Sequence, residues 1–327
     1  MSRLSDSVPR DRFLPLPNGR NDSGKARRVG VEIEFAGLTE RDVGALVQRQ
    51  LGGEVADAGP FEVIVSGTAL GEIRCFLDTA FRKGRGKGLG HLGLEFGREV
   101  IPVELTTEPL PATRLPELDA LREALRDAGA IGSRRGPLLS FGMHLNVEVA
   151  SERVESVRPV LTAFALIEDW LRLADPMNAS RRLMPFTDAY PRRFVRELLA
   201  LPPGAEMDAL VALYLRLTPS RNRALDMLPL FRHLRPAQVA SAAHNLAAVA
   251  PRPAWHYRLP DSRVDEADWT IAYEWNRWVM VERVAARPDL LAHLADEWAR
   301  HDTPAARHAW CEQVDAILTE ALPEPGR

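Results

Sequence analysis

An α+β protein, strand-rich in its first half and helical in its second, is what this 327-residue sequence predicts. Two observations carry that expectation. Apolar and polar residues alternate with period two in residues 29–35 (VGVEIEF), 101–107 (IPVELTT) and 140–149 (SFGMHLNVEV). From Val154 onward the apolar residues recur at helical spacing instead, over 154–173, 191–201, 207–217 and 221–231.

Bulk properties exclude several function classes. With 42 Lys and Arg against 45 Asp and Glu the net charge is −3, so nothing global favours nucleic acid or an anionic membrane as partner. The two cysteines, Cys75 and Cys311, lack the paired spacing of a zinc site or a disulfide framework, which suits a reducing cytoplasm. The N-terminus has no apolar signal-like core, and no run of about 18 apolar residues occurs, so neither secretion nor membrane spanning is expected.

Residues 1–27 mix both charge signs with Pro9, Pro15 and Pro17 and show no period, which reads as a flexible arm packing only through Phe13 and Leu14. The length of the rest allows one large domain or two. In the strand at 29–35, Val31, Ile33 and Phe35 share a core-facing side, while Glu32 and Glu34 share the other, roughly 7 Å apart. A solvated edge strand would accommodate such a pair. Thr39 is placed to cap a helix carrying Val43, Leu46 and Val47 inward and ending at Gly52-Gly53. Residues 61–66 and 73–77 form a hairpin around 67–71, ended by Asp78.

The segment 82–93, RKGRGKGLGHLG, is not a phosphate loop, because Lys87 is followed by Gly88 rather than Ser or Thr. It reads as a mobile basic loop. In the strand at 101–107 Val103 and Leu105 face the core and Glu104 faces away. Pro109 and Pro111 then take the chain out of the sheet and delay the next helix, 116–128. The strand at 140–149 lines up His144, Asn146 and Glu148 on one face, and imidazole and carboxylate are common ligands for divalent cations. Arg221 and Arg223 flank the expected start of a helix, where free N–H groups also favour anions. Residues 253–260, PAWHYRLP, read as a further strand with His256 and Arg258 on one face. Helices fill 266–287 and the remainder to Leu322, with Trp269, Tyr273, Trp278, Trp298 and Trp310 as packing residues.

GVEIEF, PVELTTEPL, GMHLNVEV, RNRALDMLPL and WHYRLPDSRV occur in the order in which the amidoligase family shows its motifs, so residues 29–263 resemble that branch of the glutamine synthetase and glutamate-cysteine ligase superfamily. The resemblance implies a glutamine-synthetase-like catalytic antiparallel sheet whose polar face holds ATP and two divalent cations, Mg²⁺ or Mn²⁺. It makes residues 28–327 one amidoligase-like catalytic domain with a helical C-terminal portion. The implied metal ligands are Glu32, Glu34, Glu104, His144 and His256. Glu32 and Glu34 would serve different ions, with Glu104 joining one and His144 the other. Asn146, Arg223 and Arg258 would hold the nucleotide, and Arg221 and Arg258 would act in catalysis, Arg258 on the transferred phosphoryl group.

The family's Glu-x-Arg block reads His256-Tyr257-Arg258 here, which leaves two readings of His256. It either ligates metal as a neutral imidazole or turns aside to pack against Trp255 or bond a carbonyl. A metal-ligating imidazole with an unperturbed pKa would make activity fall as pH drops through about 6.5.

The implied reaction condenses a small-molecule or peptide carboxylate with an amine, giving a γ-glutamyl-type or peptide amide through an acyl phosphate. Metal ions and an arginine neutralise the phosphates during such transfer. Two other classes fit the same residues: an ATP-dependent small-molecule or guanidino kinase, and a non-catalytic nucleotide- or metal-binding relative.

Overall fold

Strand β1 (Arg28–Phe35) carries the Glu-x-Glu pair, and it is the middle of the sheet rather than a solvated edge. The computed structural model describes residues 8–77, 102–136, 139–175, 188–242 and 249–322. The basic loop 82–93 and the expected stop at Asp78 lie outside them.

Helix α1 (Glu40–Leu51) follows β1, closed at its start by a capping box between Thr39 and Asp42 and at its end by Gly52 and Gly53 at φ 74° and 96°. Strands β2 (Glu54–Gly59), β3 (Glu62–Thr68) and β4 (Gly71–Leu77) then form a meander. Sequence patterning finds β3 and β4 but not β2, because every residue of β2 is exposed and nothing forces alternation on it.

After β5 (Val103–Thr107) the prolines do not remove the chain from the sheet. Glu108 and Pro109 step out, and β6 (Leu110–Pro111) rejoins β1 opposite Arg28 and Val29, leaving the Pro111 nitrogen without a ladder bond to make. A 3₁₀ turn at Ala112–Arg114 separates Pro111 from α2 (Leu115–Asp127), which starts within one residue of the expected position. Strand β7 (Met143–Glu148) and helices α3 (Val154–Ala174), α4 (Arg192–Leu199) and α5 (Met207–Leu217) fall where the periods put them.

The next segment differs from expectation. Residues 221–223 are irregular, β8 (Leu225–Asp226) pairs with β9 (Ala254–Tyr257), and the helix starts only at α6 (Leu228–Leu234). Pro229 fits this, since proline is pre-organised for the first helical turn and not for the interior. Helices α7 (Pro236–Ala242), α8 (Ile271–Ala285), α9 (Pro288–Arg300) and α10 (Arg307–Ala321) complete the described residues. No helix among them is long and apolar enough to cross a membrane.

The nine strands make one antiparallel sheet in the order β2-β3-β4-β5-β1-β7-β9-β8, with β6 also on β1. One face is the core: Val29, Val31, Ile33 and Phe35 of β1, Leu145 of β7, and Trp255 and Tyr257 of β9, whose rings lie 6.0 and 5.4 Å from Trp278 of α8. The expected packing aromatics Trp269, Tyr273, Trp278, Trp298 and Trp310 are all buried.

The segment before β1 is tied down more firmly than two apolar side chains imply. The Asn276 side chain accepts from Leu14 N (2.8 Å) and donates to the carbonyls of Pro9 and Arg12, Trp275 Nε1 donates to the Leu14 carbonyl, and Arg10 lies over the Tyr273 ring.

Candidate active site

The opposite face of the sheet is polar, and strand pairing arranges its chemistry in rows. Glu34 on β1 stands opposite Glu104 on β5; Glu32 stands opposite Thr106 on β5 and His144 on β7. In the next row Asn146 is opposite His256, and His256 is opposite Asp226 on β8. Like charges facing one another across strands are unfavourable unless something positive compensates them, which singles out the Glu34–Glu104 pair. Glu34 Oε2 accepts from Gly142 N at 2.7 Å, just before β7.

Glu32 is the hub. Its Oε2 lies 2.8 Å from His144 Nδ1, and its Oε1 accepts from Asn146 Nδ2 at 2.8 Å and from Arg252 NH1 at 3.2 Å. Since an ionised carboxylate only accepts, Asn146 must turn its nitrogen toward Glu32 and its oxygen away. That oxygen lies 2.8 Å from His256 Nδ1 and 3.0 Å from Arg252 NH1, so His256 carries its proton on Nδ1. By the same logic His144 donates through Nδ1. Both rings therefore keep the Nε2 lone pair free of these bonds, and the rings meet edge to face at 5.3 Å. A second-nitrogen hydrogen bond of this kind fixes tautomer and orientation in metal-ligating histidines.

Electrostatics follow the geometry. Burial alone would raise the Glu32 carboxyl, but the His144 bond and the charges of both histidines hold it well below the usual carboxylate range. Burial pushes the His256 imidazole well below its ordinary value, and the charges of His144, Arg258 and Arg252 push the same way against Glu32. A neutral His256 beside an ionised Glu32 is thus the state at neutral pH. The drop in activity near pH 6.5 expected from an unperturbed His256 moves to lower pH accordingly. Glu32, His144 and His256 each offer a ligand atom, and these atoms lie within 4.8 Å of one another. One carboxylate and two imidazoles suit a divalent cation, a borderline one such as Mn²⁺ better than hard Mg²⁺.

The arginines divide. Arg258 donates through NH1 to the Arg221 carbonyl, and burial raises the Asp226 carboxyl while the Arg258 and Arg221 charges oppose that. Arg221 Nε lies 3.4 Å from Asp226 Oδ2. Arg223 is bonded to Thr218 Oγ1 (2.6 Å) and the Ala189 carbonyl (2.7 Å), partners in the helical half rather than in the Glu32 cluster. None of Arg221–Arg223 lies at a helix start.

Two members of this face escape a sequence reading. Arg252 reaches Glu32 and Asn146, and counting back by twos from His256 would have put it on the same face, although it lies just before the strand. Asp226, fully buried, is hidden because its segment reads as helix; its Oδ1 accepts from Leu228 N at 3.0 Å, one residue before Pro229.

A family model described as "Putative amidoligase enzyme" matches residues 25–280, well over half of the chain and all of the rows above. The chain belongs to the amidoligase family. No curated protein and no solved structure matches it. Membership makes an amide-bond-forming ligase the reading for this amidoligase.

Proposed function

We propose that this amidoligase is an ATP- and divalent-cation-dependent carboxylate-amine ligase, built on a glutamine-synthetase-like sheet, that forms its amide through an acyl phosphate. The observation that carries the proposal is the Glu32 hub: a half-buried, ionised carboxylate flanked by two histidines with free Nε2 positions, one row from the Glu34–Glu104 pair. A carboxylate and an amine do not condense in water near neutral pH, and phosphorylation supplies the leaving group.

Glu32, His144 and His256 would hold one cation and Glu34 with Glu104 a second; bound cations supply charge neutralisation for the phosphates. Asn146 keeps Glu32 and His256 oriented at the same time, through its nitrogen and its oxygen. Arg258 and Arg221 bring positive charge to the His256 end of the face, where a transferred phosphoryl group gains from it. Arg223 stabilises the helical half instead. The substrates are a small-molecule or peptide carboxylate and an amine.

Incubation with ATP, Mg²⁺ or Mn²⁺ and pools of amino acids, polyamines and peptides tests this. ADP release that requires both a carboxylate and an amine, with an amide found by mass spectrometry, is the expected result. A stable phosphorylated product formed without amine would indicate a kinase, and metal or ATP binding without any ADP release a non-catalytic relative.

A further inference from the structure

Arg252 occupies an unusual position for a cation. Its NH1 donates to Glu32 Oε1 (3.2 Å) and to Asn146 Oδ1 (3.0 Å), the two atoms that organise the Glu32–His144–His256 group. Asn146 Nδ2 already takes one acceptor site of Oε1, and Arg252 takes the other; His144 Nδ1 sits at Oε2. An sp² carboxylate oxygen has two lone pairs, so a cation ligated by Oε1 must replace one of these two donors. Asn146 is held from its far end by His256, and it is neutral.

Arg252 is the donor that can leave. Its bond is the longest on Glu32, its side chain is 47% exposed against 15% for Glu32, and a second positive charge entering the cluster repels it. Its backbone stays put, because Pro251 and Pro253 flank it and its N–H donates to the Pro229 carbonyl at 3.0 Å. A long side chain on a fixed anchor can leave Glu32 without any movement of the backbone.

We propose that Arg252 and the divalent cation are alternative counter-ions of Glu32, so that metal entry drives the guanidinium off Oε1 and releases it to an anionic group of the substrate bound over the same face. The proposal rests on the reading of Glu32, His144 and His256 as a metal site. In it Arg252 is a positioning residue that keeps Glu32 paired until metal arrives and then makes substrate binding depend on metal.

The test is Mn²⁺ binding to the full chain, followed by calorimetry and by the EPR signal of free Mn²⁺, for wild type, Arg252→Met, Arg252→Lys, Glu32→Gln and His256→Ala. Removing the competitor should lower the Mn²⁺ Kd of Arg252→Met at least threefold, a gain that structural damage does not produce. Arg252→Lys, which keeps a competing charge, should stay within twofold of wild type. Unchanged or weaker Mn²⁺ binding in Arg252→Met, with wild-type binding abolished by Glu32→Gln or by His256→Ala, would overturn the role of Arg252 and leave the metal site standing. Mn²⁺ binding that is absent from wild type, or unaffected by both Glu32→Gln and His256→Ala, would remove the metal site and this proposal together.

Discussion

Two clusters of buried charge in this protein use similar residue types to opposite ends. Against helix α8, Arg27 and Glu282 form a two-pronged ion pair at 2.7 and 2.7 Å, side chains 1% and 6% exposed. Arg27 Nε and NH1 also donate to the carbonyls of Glu148 and Asn18, and Trp278 Nε1 donates to Glu282. On the polar sheet face, Glu32 has instead a single-pronged, half-exposed arginine, an amide and a histidine. The first cluster has matched every strong group with a fixed partner and has nothing left to bind with. The second is held in place by weak or removable partners, and that is what a ligand site requires.

The largest effect expected from this contrast is on stability, at the first cluster. Glu282→Ala strands a buried guanidinium and should cost about 3–5 kcal/mol, whereas replacing Arg27 and Glu282 together with methionine should cost far less. Urea denaturation of the three proteins measures both. Equal losses in the single and double variants would mean that the pair is held by packing and not by charge.

Glu32→Gln should behave in the reverse way. It keeps shape and removes charge, so amide formation should fall by at least about 100-fold. Stability near neutral pH should fall by about 1–3 kcal/mol, less than for Glu282→Ala, because the amide oxygen still accepts at one atom while its nitrogen faces donors at the other. A loss of stability matching that of Glu282→Ala would make Glu32 a structural residue.

A smaller effect separates the histidine from the carboxylate by pH. The folded His256 imidazole titrates well below its ordinary value, so below about pH 6.5 the unfolded chain binds a proton that the folded protein refuses. Stability should therefore fall with decreasing pH from that point, by up to about 1.4 kcal/mol per pH unit for this one proton. The Glu32 carboxyl has a depressed folded value, so its contribution is complete above about pH 4.5 and is lost only as pH falls further, through the folded value. Thermal melts from pH 7 to 4 should show His256→Gln flattening the upper window and leaving the lower one. A wild-type profile that is flat between pH 6.5 and 5 would contradict the neutral, buried assignment of His256.

The smallest effect belongs to Arg252, whose half-exposed pair with Glu32 should contribute about 0–1 kcal/mol. Arg252→Met should unfold within that margin of wild type in urea. A cost near that of Glu282→Ala would erase the distinction between the clusters.

Much of this face was legible in the sequence, because period-two alternation alone puts Glu32 and Glu34, Glu104, and His144 with Asn146 on non-core sides of three strands. Alternation says nothing about which strands are neighbours, and the rows that pair Glu34 with Glu104 and Asn146 with His256 come only from the registers. Arg252 and Asp226 were missed for different reasons. Arg252 is in phase with His256 but lies before Pro253, outside the segment that reads as strand, and Asp226 sits in a two-residue strand too short to show a period. Strand β2, exposed along its whole length, leaves no hydrophobic trace, and β6 contradicts the usual meaning of proline because its Pro111 needs no ladder donor where it lies.

Trapping of the activated carboxylate tests the ligase account most directly. With ATP, Mn²⁺ or Mg²⁺ and a carboxylate accepted by the enzyme, hydroxylamine should yield an acyl hydroxamate in step with ADP. Glu32→Gln, folded as shown by its melt, should form at least about 100-fold less. ADP formation without hydroxamate, or equal hydroxamate from wild type and Glu32→Gln, would contradict an acyl phosphate made at the Glu32 face.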